Sequence, residues 1–347
     1  MGPVHDGEGG QIQSAGVEGL RENAHNLECR TTVVIPNYNG IQYIENCLKS
    51  LYAGRCRPVV IVVDNGSGDE SRRLVKEKFP QVKLISLEEN TGFCHAVNVG
   101  IREADTEFVF LLNNDTTVEE GCVEELEKAL SVSENIFSAG AKMINMRFPE
   151  KIDDAGDFYC ALGWAFARGK DQPAEKYERG GRIFASCAGA AMYRRKALLE
   201  LGVFDEAHFA YLEDIDVGYR ANLMGFRNVF APKAVVRHAG SAVSGSRHNA
   251  FKVDLSSRNS VYLIVKNMPF LQILLNLPFL LAGYLIKLLF FAGKGLGGAY
   301  LRGIGRGLRL SLSGEGRKRR VKFEWKRFPN YLWVQKELWA GMIRRVL

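Results

Sequence analysis

The first half of the chain alternates short, unbroken apolar runs with stretches whose apolar residues recur at helical spacing. Thr31-Thr32-Val33-Val34-Ile35-Pro36 is a β-branched run ended by a proline, which predicts a buried strand. Residues 41–52 place Ile41, Ile44, Cys47, Leu48 and Leu51 on one helical face. Pro58-Val59-Val60-Ile61-Val62-Val63-Asp64 predicts a second buried strand, and residues 67–79 a second helix with Ser67 or Asp69 as its cap. Residues 82–87 and 108–113 predict two more strands, and residues 93–103 and 118–131 two more helices. Strands separated by helices make βαβ units and a largely parallel α/β sheet. Ligands of such sheets sit beyond the carboxyl ends of the strands. Polar residues gather at those ends: Asn37 and Asn39, Asp64 and Asn65, Asn90 and Thr91, Asn114 and Asp115. Any one of them is explained by turn chemistry; four strand ends in a row are not.

The pattern loosens over residues 140–190, where Gly, Asp and aromatics mix without a period. It resumes with helices over 194–201 and 214–224 and a short strand at Asn228-Val229-Phe230. Residues 268–292 are the most apolar stretch, interrupted by Gln272, Asn276, Pro278 and Lys287. A single membrane span, a helix lying at the membrane interface and a buried core helix all fit it. Residues 298–312 follow as a helix with Arg302, Arg306 and Arg309 on one face, the pattern of a basic amphipathic surface helix. Gly303-x-Gly305-x-Gly307 lies here, follows no strand and does not read as a nucleotide fingerprint. Residues 1–28, rich in Gly and polar groups, predict a loose leader.

Composition adds three things. With 347 residues, 46% hydrophobic and 24% charged, the chain is globular rather than disordered. Its formal charge of +7 is concentrated at the end, among Arg317, Lys318, Arg319, Arg320, Lys322, Lys326 and Arg327. Such a tail suits an anionic membrane, nucleic acid or plain solubility; its aromatics, among them Trp325, Trp333 and Trp339, suit a membrane interface at least as well as base stacking. The seven cysteines form no C-x-x-C pair, which favours reduced thiols over a disulfide framework or a zinc site. No basic segment followed by an apolar one opens the chain, so no signal peptide is expected.

Two segments carry candidate chemistry. Asn113-Asn114-Asp115 offers one carboxylate and two amides at a strand end. Asp115 is the natural ligand there for Mg2+ or Mn2+, which take hard oxygens and substrate phosphates. Taken alone, His238 reads as a structural histidine. Glu213, Asp214 and Asp216 sit at the start of a helix, where one acid would satisfy the dipole. Three acids behind Phe209-Ala210-Tyr211-Leu212 exceed that need, and an acid in partly apolar surroundings can act as a base. Neither a P-loop nor a dinucleotide fingerprint opens the early helices.

These motifs resemble, in order, those of the inverting family 2 glycosyltransferases. They are Val33-Val34-Ile35-Pro36-Asn37-Tyr38-Asn39-Gly40, Val62-Val63-Asp64-Asn65-Gly66-Ser67, Asn90-Thr91-Gly92-Phe93 through Asn98, and Leu111-Leu112-Asn113-Asn114-Asp115-Thr116. Gly189-Ala190-Ala191-Met192-Tyr193-Arg194-Arg195, Gly202-Val203-Phe204-Asp205-Glu206, Tyr211-Leu212-Glu213-Asp214-Ile215-Asp216 and Ala234-Val235-Val236-Arg237-His238 complete the set. Within the family they are most similar to the rhamnosyltransferase-type enzymes of bacterial surface-polysaccharide synthesis. The resemblance implies a GT-A fold, with a Rossmann-like nucleotide-binding half, a mixed central sheet and C-terminal membrane-associating helices. The resemblance covers roughly residues 31–265, so the chain divides into the loose leader over 1–28, a glycosyltransferase domain over 29–265 and the apolar and basic helical region over 266–347. It implies that Pro36, Asn37, Tyr38, Asn39, Asp64, Asn65, Gly92, Asn98, Asn113, Asn114 and Asp115 bind the nucleotide-sugar, with Asn113 replacing the first acid of the family's D-x-D. It implies Asp115 and His238 as ligands of Mg2+ or Mn2+, Asp214 as catalytic base with Glu213 beside it, and Asp216 and Arg258 in acceptor binding or positioning. Arg258-Asn259-Ser260 with Lys266 resembles the family's basic stretch near donor or acceptor phosphates. The implied partners are a nucleotide-diphosphate sugar, a glycan or lipid-linked acceptor and the inner face of the cell membrane, from the cytoplasmic side, with no nucleic acid. A catalytically silent membrane scaffold is the alternative that Asn113 motivates.

Overall fold

The computed structural model describes residues 29–240 and 249–346, the last two through their backbone alone. The expected leader, residues 1–28, lies outside the described residues. The apolar runs form β1 (Thr31–Asn37), β2 (Val59–Asn65), β3 (Lys83–Leu87) and β4 (Phe108–Leu112). They lie parallel in the order β3-β2-β1-β4. Between and after them run α1 (Ile44–Tyr52), α2 (Ser71–Lys78), α3 (Phe93–Glu103) and, beyond the short β5 (Thr116–Val118), α4 (Cys122–Ser131). Two helix starts differ from expectation. Ser67 does not cap α2; it holds the loop after β1, where Asn39 N donates to its Oγ at 3.0 Å, while Asp69 serves both, its Oδ2 accepting from Ile41 N at 2.9 Å and its Oδ1 from Ser71 N, the first residue of α2, at 3.1 Å. Val118 does not open a helix; it ends β5.

The stretch expected to be loose is instead rich in strands: β6 (Ile136–Asn145), β7 (Ile152–Asp154), β8 (Asp157–Cys160), β9 (Trp164–Ala167) and β10 (Gly181–Ile183). Then come β11 (Ala190–Arg194), α5 (Arg195–Glu200), α6 (Glu213–Leu223) and β12 (Arg227–His238). β12 runs twelve residues where three were expected, because its register with β6 shifts between Ala231 and Val235, around Pro232, and the alternation breaks there. β11 lies antiparallel between β4 and β6, and β12 pairs with β6, β10 and β5, so one mixed sheet runs through both halves. Alternate residues of β1 and β4 face opposite cores. Val33, Ile35 and Phe110 pack with Leu126 and Met192, and Val34 and Leu111 pack with Val97 and Phe204. Each such side chain contributes roughly 1.5–3 kcal/mol.

Cys29 and Cys56 are joined in a disulfide, which corrects the expectation of seven reduced thiols. They are 27 residues apart, a spacing with no signature, and meet because the chain entering β1 lies beside the loop entering its parallel neighbour β2.

Five helices follow: α7 (Ala250–Asn267), α8 (Phe270–Ala292), α9 (Gly297–Leu312), α10 (Gly314–Arg319) and α11 (Phe328–Val346). α8 is long and apolar enough to cross a membrane, yet its buried residues are only Gln272, Asn276, Leu280 and Gly283, one stripe along the helix. That excludes a buried core helix. The stripe is pinned by polar bonds: Gln272 Nε2 donates to Gln335 Oε1 at 3.0 Å, and Gln335 Nε2 to Asn276 Oδ1 at 2.8 Å. A third core joins Tyr219 of α6, Leu263 of α7, Leu280 of α8 and Leu338 of α11.

Candidate active site

The loops beyond β1, β2 and β4 are laced together by the residues that end those strands. Asn37 Nδ2 donates to Asp64 Oδ2 (2.8 Å) and Ser71 Oγ (2.9 Å), and its Oδ1 accepts from Asn114 Nδ2 (2.8 Å). Asn65 Oδ1 accepts from both the backbone N and Oγ1 of Thr91 at 2.9 Å. Asn65 Nδ2 donates to the Gly92 carbonyl at 3.1 Å. Gly92 has φ +89°, and a Cβ there would lie 2.5 Å from the Phe209 ring, so only glycine fits. Asn37, Asp64 and Asn114 are thus buried and linked through Asn37, and the buried Asn65 is bonded to the loop at Asn90, Thr91 and Gly92; together they shape the rim. Tyr38 and Asn39 are exposed, and Pro36 and Asn113 half-buried. Asn98, expected in the nucleotide site, is not part of the rim. It is fully buried, and its Nδ2 donates to the Phe204 carbonyl (2.8 Å) and Glu206 Oε1 (2.9 Å), fastening α3 to the turn before α6.

β12 returns His238 to the end of β4. Its Nε2 lies 3.3 Å from Asp115 Oδ1, and its Nδ1 2.7 Å from Asp153 Oδ2 on β7. Burial opposes a charged imidazole, but the hydrogen bonds to Asp115 and Asp153 outweigh it and push the His238 pKa up to about 9. The sequence brought Asp115 and His238 under suspicion but missed Asp153. Its signal was available: Asp153, Asp154 and Asp157 are three acids in five residues.

Those acids continue into the segment around α6. Asp154, Asp157, Glu213 and Asp214 share one buried region. Burial, and then the charge of Asp214, pushes Glu213 up to about 8. Asp154 is raised by burial to about 7, and Asp157 well above the usual carboxylate range by burial and its acidic neighbours. Asp214 is raised by burial too, but the backbone N–H groups of Ile215 and Ala188 oppose the rise. Neutral pH therefore finds Glu213 largely protonated beside an Asp214 whose charge is better supported. The turn carrying Ala188 also joins this acid to the end of β4, because Asn113 N donates to the Gly189 carbonyl at 2.9 Å.

The loop into α6 is strained. Phe209, Tyr211 and Leu212 all have positive φ, at 63°, 71° and 66°. Asn259 of α7 holds it, with Nδ2 within 2.8–2.9 Å of the carbonyls of His208, Ala210 and Tyr211. Arg258 donates to the carbonyls of Ala207 and His208 at 2.6 and 2.9 Å. Asp216 is fully buried, with Arg220 Nη2 and Lys266 Nζ each 2.8 Å from its Oδ2, an arrangement that fits the positioning half of its expected role and not contact with an acceptor. Lys266, expected near phosphates, is bound between Asp216 and Asp205. Helical period explains the direction of Asp216: it sits two residues after Asp214 and points to the opposite side of α6, where Lys266 of α7 meets it.

Known proteins share this architecture. Residues 32–202 match glycosyl transferase family 2. An uncharacterized glycosyltransferase of Bacillus subtilis, YwdF, is 30% identical over 67% of this chain and 81% of its own. The N-acetylglucosaminyl-diphospho-decaprenol L-rhamnosyltransferase of Mycobacterium tuberculosis is 25% identical over 66% of this chain and 84% of its own. A mannosyltransferase from Pyrobaculum calidifontis, solved in complex with GDP-Man and Mn2+, superposes with TM-score 0.50 at 19% identity over 92% of this chain and 87% of its own. The mixed sheet with its nucleotide-side parallel strands is the GT-A fold, and the chain belongs to glycosyl transferase family 2.

Proposed function

We propose that this chain is an inverting glycosyltransferase that moves a sugar, rhamnose as first choice, from a nucleotide-diphosphate donor to a hydroxyl of a glycan or lipid-linked acceptor in cell-surface polysaccharide synthesis. The observation that carries the reading is the junction at Ala188 and Gly189: the Ala188 N–H bonds the Asp214 carboxylate, and the next residue's carbonyl accepts from Asn113 N at the end of β4. In this reading Asp214 takes the acceptor proton, the freed hydroxyl attacks the anomeric carbon, and the nucleoside diphosphate leaves with inversion. Glu213, protonated at neutral pH, keeps a second negative charge out of the same pocket. Pro36, Tyr38, Asn39 and Asn113 contact the donor, while Asn37, Asp64, Asn65, Gly92 and Asn114 hold the loops that carry them. The donor set fits a divalent cation: Asp115 gives a carboxylate, and Asp153 engages Nδ1 of His238 so that Nε2 faces Asp115. When bound, Mg2+ or Mn2+ would offset the charge of the departing diphosphate. Rhamnose and a lipid-linked acceptor rest on the mycobacterial relative, and a metal on the mannosyltransferase.

The membrane helps present the acceptor. α8 exposes Leu271, Leu274, Leu281, Leu285, Ile286 and Leu289 while its polar stripe stays on the protein, which supports a helix lying in the interface rather than a span. We read residues 29–265 as the catalytic body and 266–347 as its membrane-facing part, at the cytoplasmic side. The test is release of nucleoside diphosphate from a panel of nucleotide sugars with Mn2+ or Mg2+ and a lipid-diphosphate acceptor. Asp214→Asn should lower turnover about 10²–10⁴-fold with donor binding kept. Absence of turnover with every donor would leave the silent scaffold standing.

A further inference from the structure

Gly303 and Gly307, which matched no nucleotide fingerprint, prove to be a packing device. A Cβ on Gly303 would lie 1.9 Å from Ser257 Oγ and 2.3 Å from the Asp254 carbonyl; one on Gly307 would lie 2.5 Å from the Arg258 carbonyl. α9 therefore lies backbone against backbone on α7. The residue before each glycine is an arginine, and four residues apart on one helix they share a face. Close packing thereby brings Arg302 and Arg306 of α9 beside Arg258 of α7 around a cavity of about 370 Å³, whose apolar wall is Phe209, Phe251 and Leu255. Asp254 also lines it, held by Arg306 and, at 3.8 Å, by Arg302. Three guanidinium groups against one carboxylate leave two positive charges in an otherwise apolar pocket.

We propose that this pocket binds the diphosphate of a lipid-borne acceptor, its two negative charges on Arg258, Arg302 and Arg306 and the first apolar carbons of its chain on Phe251 and Leu255. Guanidinium groups suit phosphate oxygens through paired N–H donors. The position suits an acceptor as well. Phe209 packs on Gly92 at the donor rim and belongs to the loop that delivers Glu213 and Asp214. Arg258 donates to that loop's Ala207 and His208 carbonyls, so the pocket and the base share a support. Apolar α8 joins α9 through the contact of Phe291 with Tyr300, 5.3 Å between ring centroids, which sets the pocket beside the membrane-facing surface. The inference rests on the reading of a lipid-linked acceptor and extends it to a named site.

The experiment titrates the full chain with farnesyl diphosphate, farnesol, inorganic pyrophosphate and phosphatidylglycerol vesicles, following intrinsic tryptophan fluorescence or flotation. Farnesyl diphosphate should bind, and the Arg302→Gln/Arg306→Gln double variant should bind it about 10- to 100-fold more weakly, the loss of one or two charge-assisted contacts. Both arginines are exposed but hold Asp254, so the pair is also changed together with Asp254→Asn, which leaves no unpaired carboxylate and should melt as the wild type does. Phe251→Ala should weaken farnesyl diphosphate but not pyrophosphate. Equal binding by the arginine variant, farnesol binding as tightly as farnesyl diphosphate, or pyrophosphate matching it would each overturn the proposal; so would a variant defect confined to phosphatidylglycerol vesicles. Donor turnover separates the two readings. Turnover with an unchanged KM for the lipid diphosphate in the arginine variant sinks the pocket alone. Arginine-dependent farnesyl diphosphate binding without any turnover sinks the glycosyl-transfer reading alone.

Discussion

Replacing Glu213 with Gln should make the protein more stable, and increasingly so as the pH rises. The Glu213 side chain is 8% exposed and its Oε2 has no hydrogen-bond partner. Burial, together with the Asp214 charge, raises its pKa from 4.5 to about 8. The sign follows from the proton count. Between these two values the folded state holds a proton that the unfolded state has lost, so stability falls as pH climbs. The contribution is intact below about pH 4.5 and is lost by about pH 8. At about 1.4 kcal/mol per pKa unit, the window corresponds to roughly 5 kcal/mol of lost stability. A glutamine of the same shape carries no charge to bury and avoids that loss. The variant should therefore melt with the wild type near pH 5 and several degrees above it near pH 8. The assay is thermal melting from pH 5 to 8.5, in EDTA and without nucleotide, so that no bound cation shifts the acids. Parallel curves for the two proteins across that range would refute a buried, proton-retaining Glu213.

Lys266→Met removes the cation between two buried carboxylates and should destabilise the fold by roughly 3–5 kcal/mol in denaturant titration. Asp205 is held down to about 2, since Lys266 outweighs its burial; its contribution should be complete above about pH 4 and disappear as pH falls through 2, seen as a steep acid limb in the melting profile. Asn259→Ala leaves the carbonyls of the strained loop without their donor and should lower kcat more than the donor KM, with about 1–3 kcal/mol lost in stability. Ending the chain after residue 265 removes Leu280 and Leu338 from the third core, and the truncated protein should be insoluble or aggregate on gel filtration even in detergent.

What the sequence made legible was the part of the fold that repeats. β1, β2 and β4 announced themselves as unbroken apolar runs because both faces of these inner strands are covered, and polar residues marked their ends; β3, at the sheet edge, is half-exposed and mixes Lys83 and Ser86 into its run. β6 and β12 escaped for the opposite reason. Glycine at 140 and proline at 232 interrupt their pattern, and their partners are strands distant in the chain. Among the candidate residues, Asp115, His238, Glu213 and Asp214 stood out through motif order, and the structure sets His238 against Asp115. Asp153, Asp154 and Asp157 sit in short strands with no period to draw attention. Asn98 was open to two readings because the residue type that suits a polar ligand equally suits a buried bond to a carbonyl, and only direction separates the two. The Cys29–Cys56 link depends on which strands are neighbours, which local pattern does not contain.

The C-terminal helices bear on the chemistry in a way that their composition does not suggest. Asp216 and Asp214 are on one short helix, and the side away from the cleft is bound by Lys266 and Asn267 at the end of α7. Arg319 of α10 pairs with Asp205, four residues before the strained loop that Asn259 of α7 secures. Gln272 of the apolar α8 accepts from the Tyr219 hydroxyl of α6 at 3.0 Å. Helix α6, with the acids at its start, is therefore fixed from three directions by the segment that carries the exposed apolar and basic surfaces. A force that displaces α7 or α8, such as docking on a bilayer, reaches Glu213 and Asp214 through bonds between rigid helices rather than through a flexible linker. The loop with three positive-φ residues lies on that route between Asp205 and α6, its carbonyls held by Arg258 and Asn259.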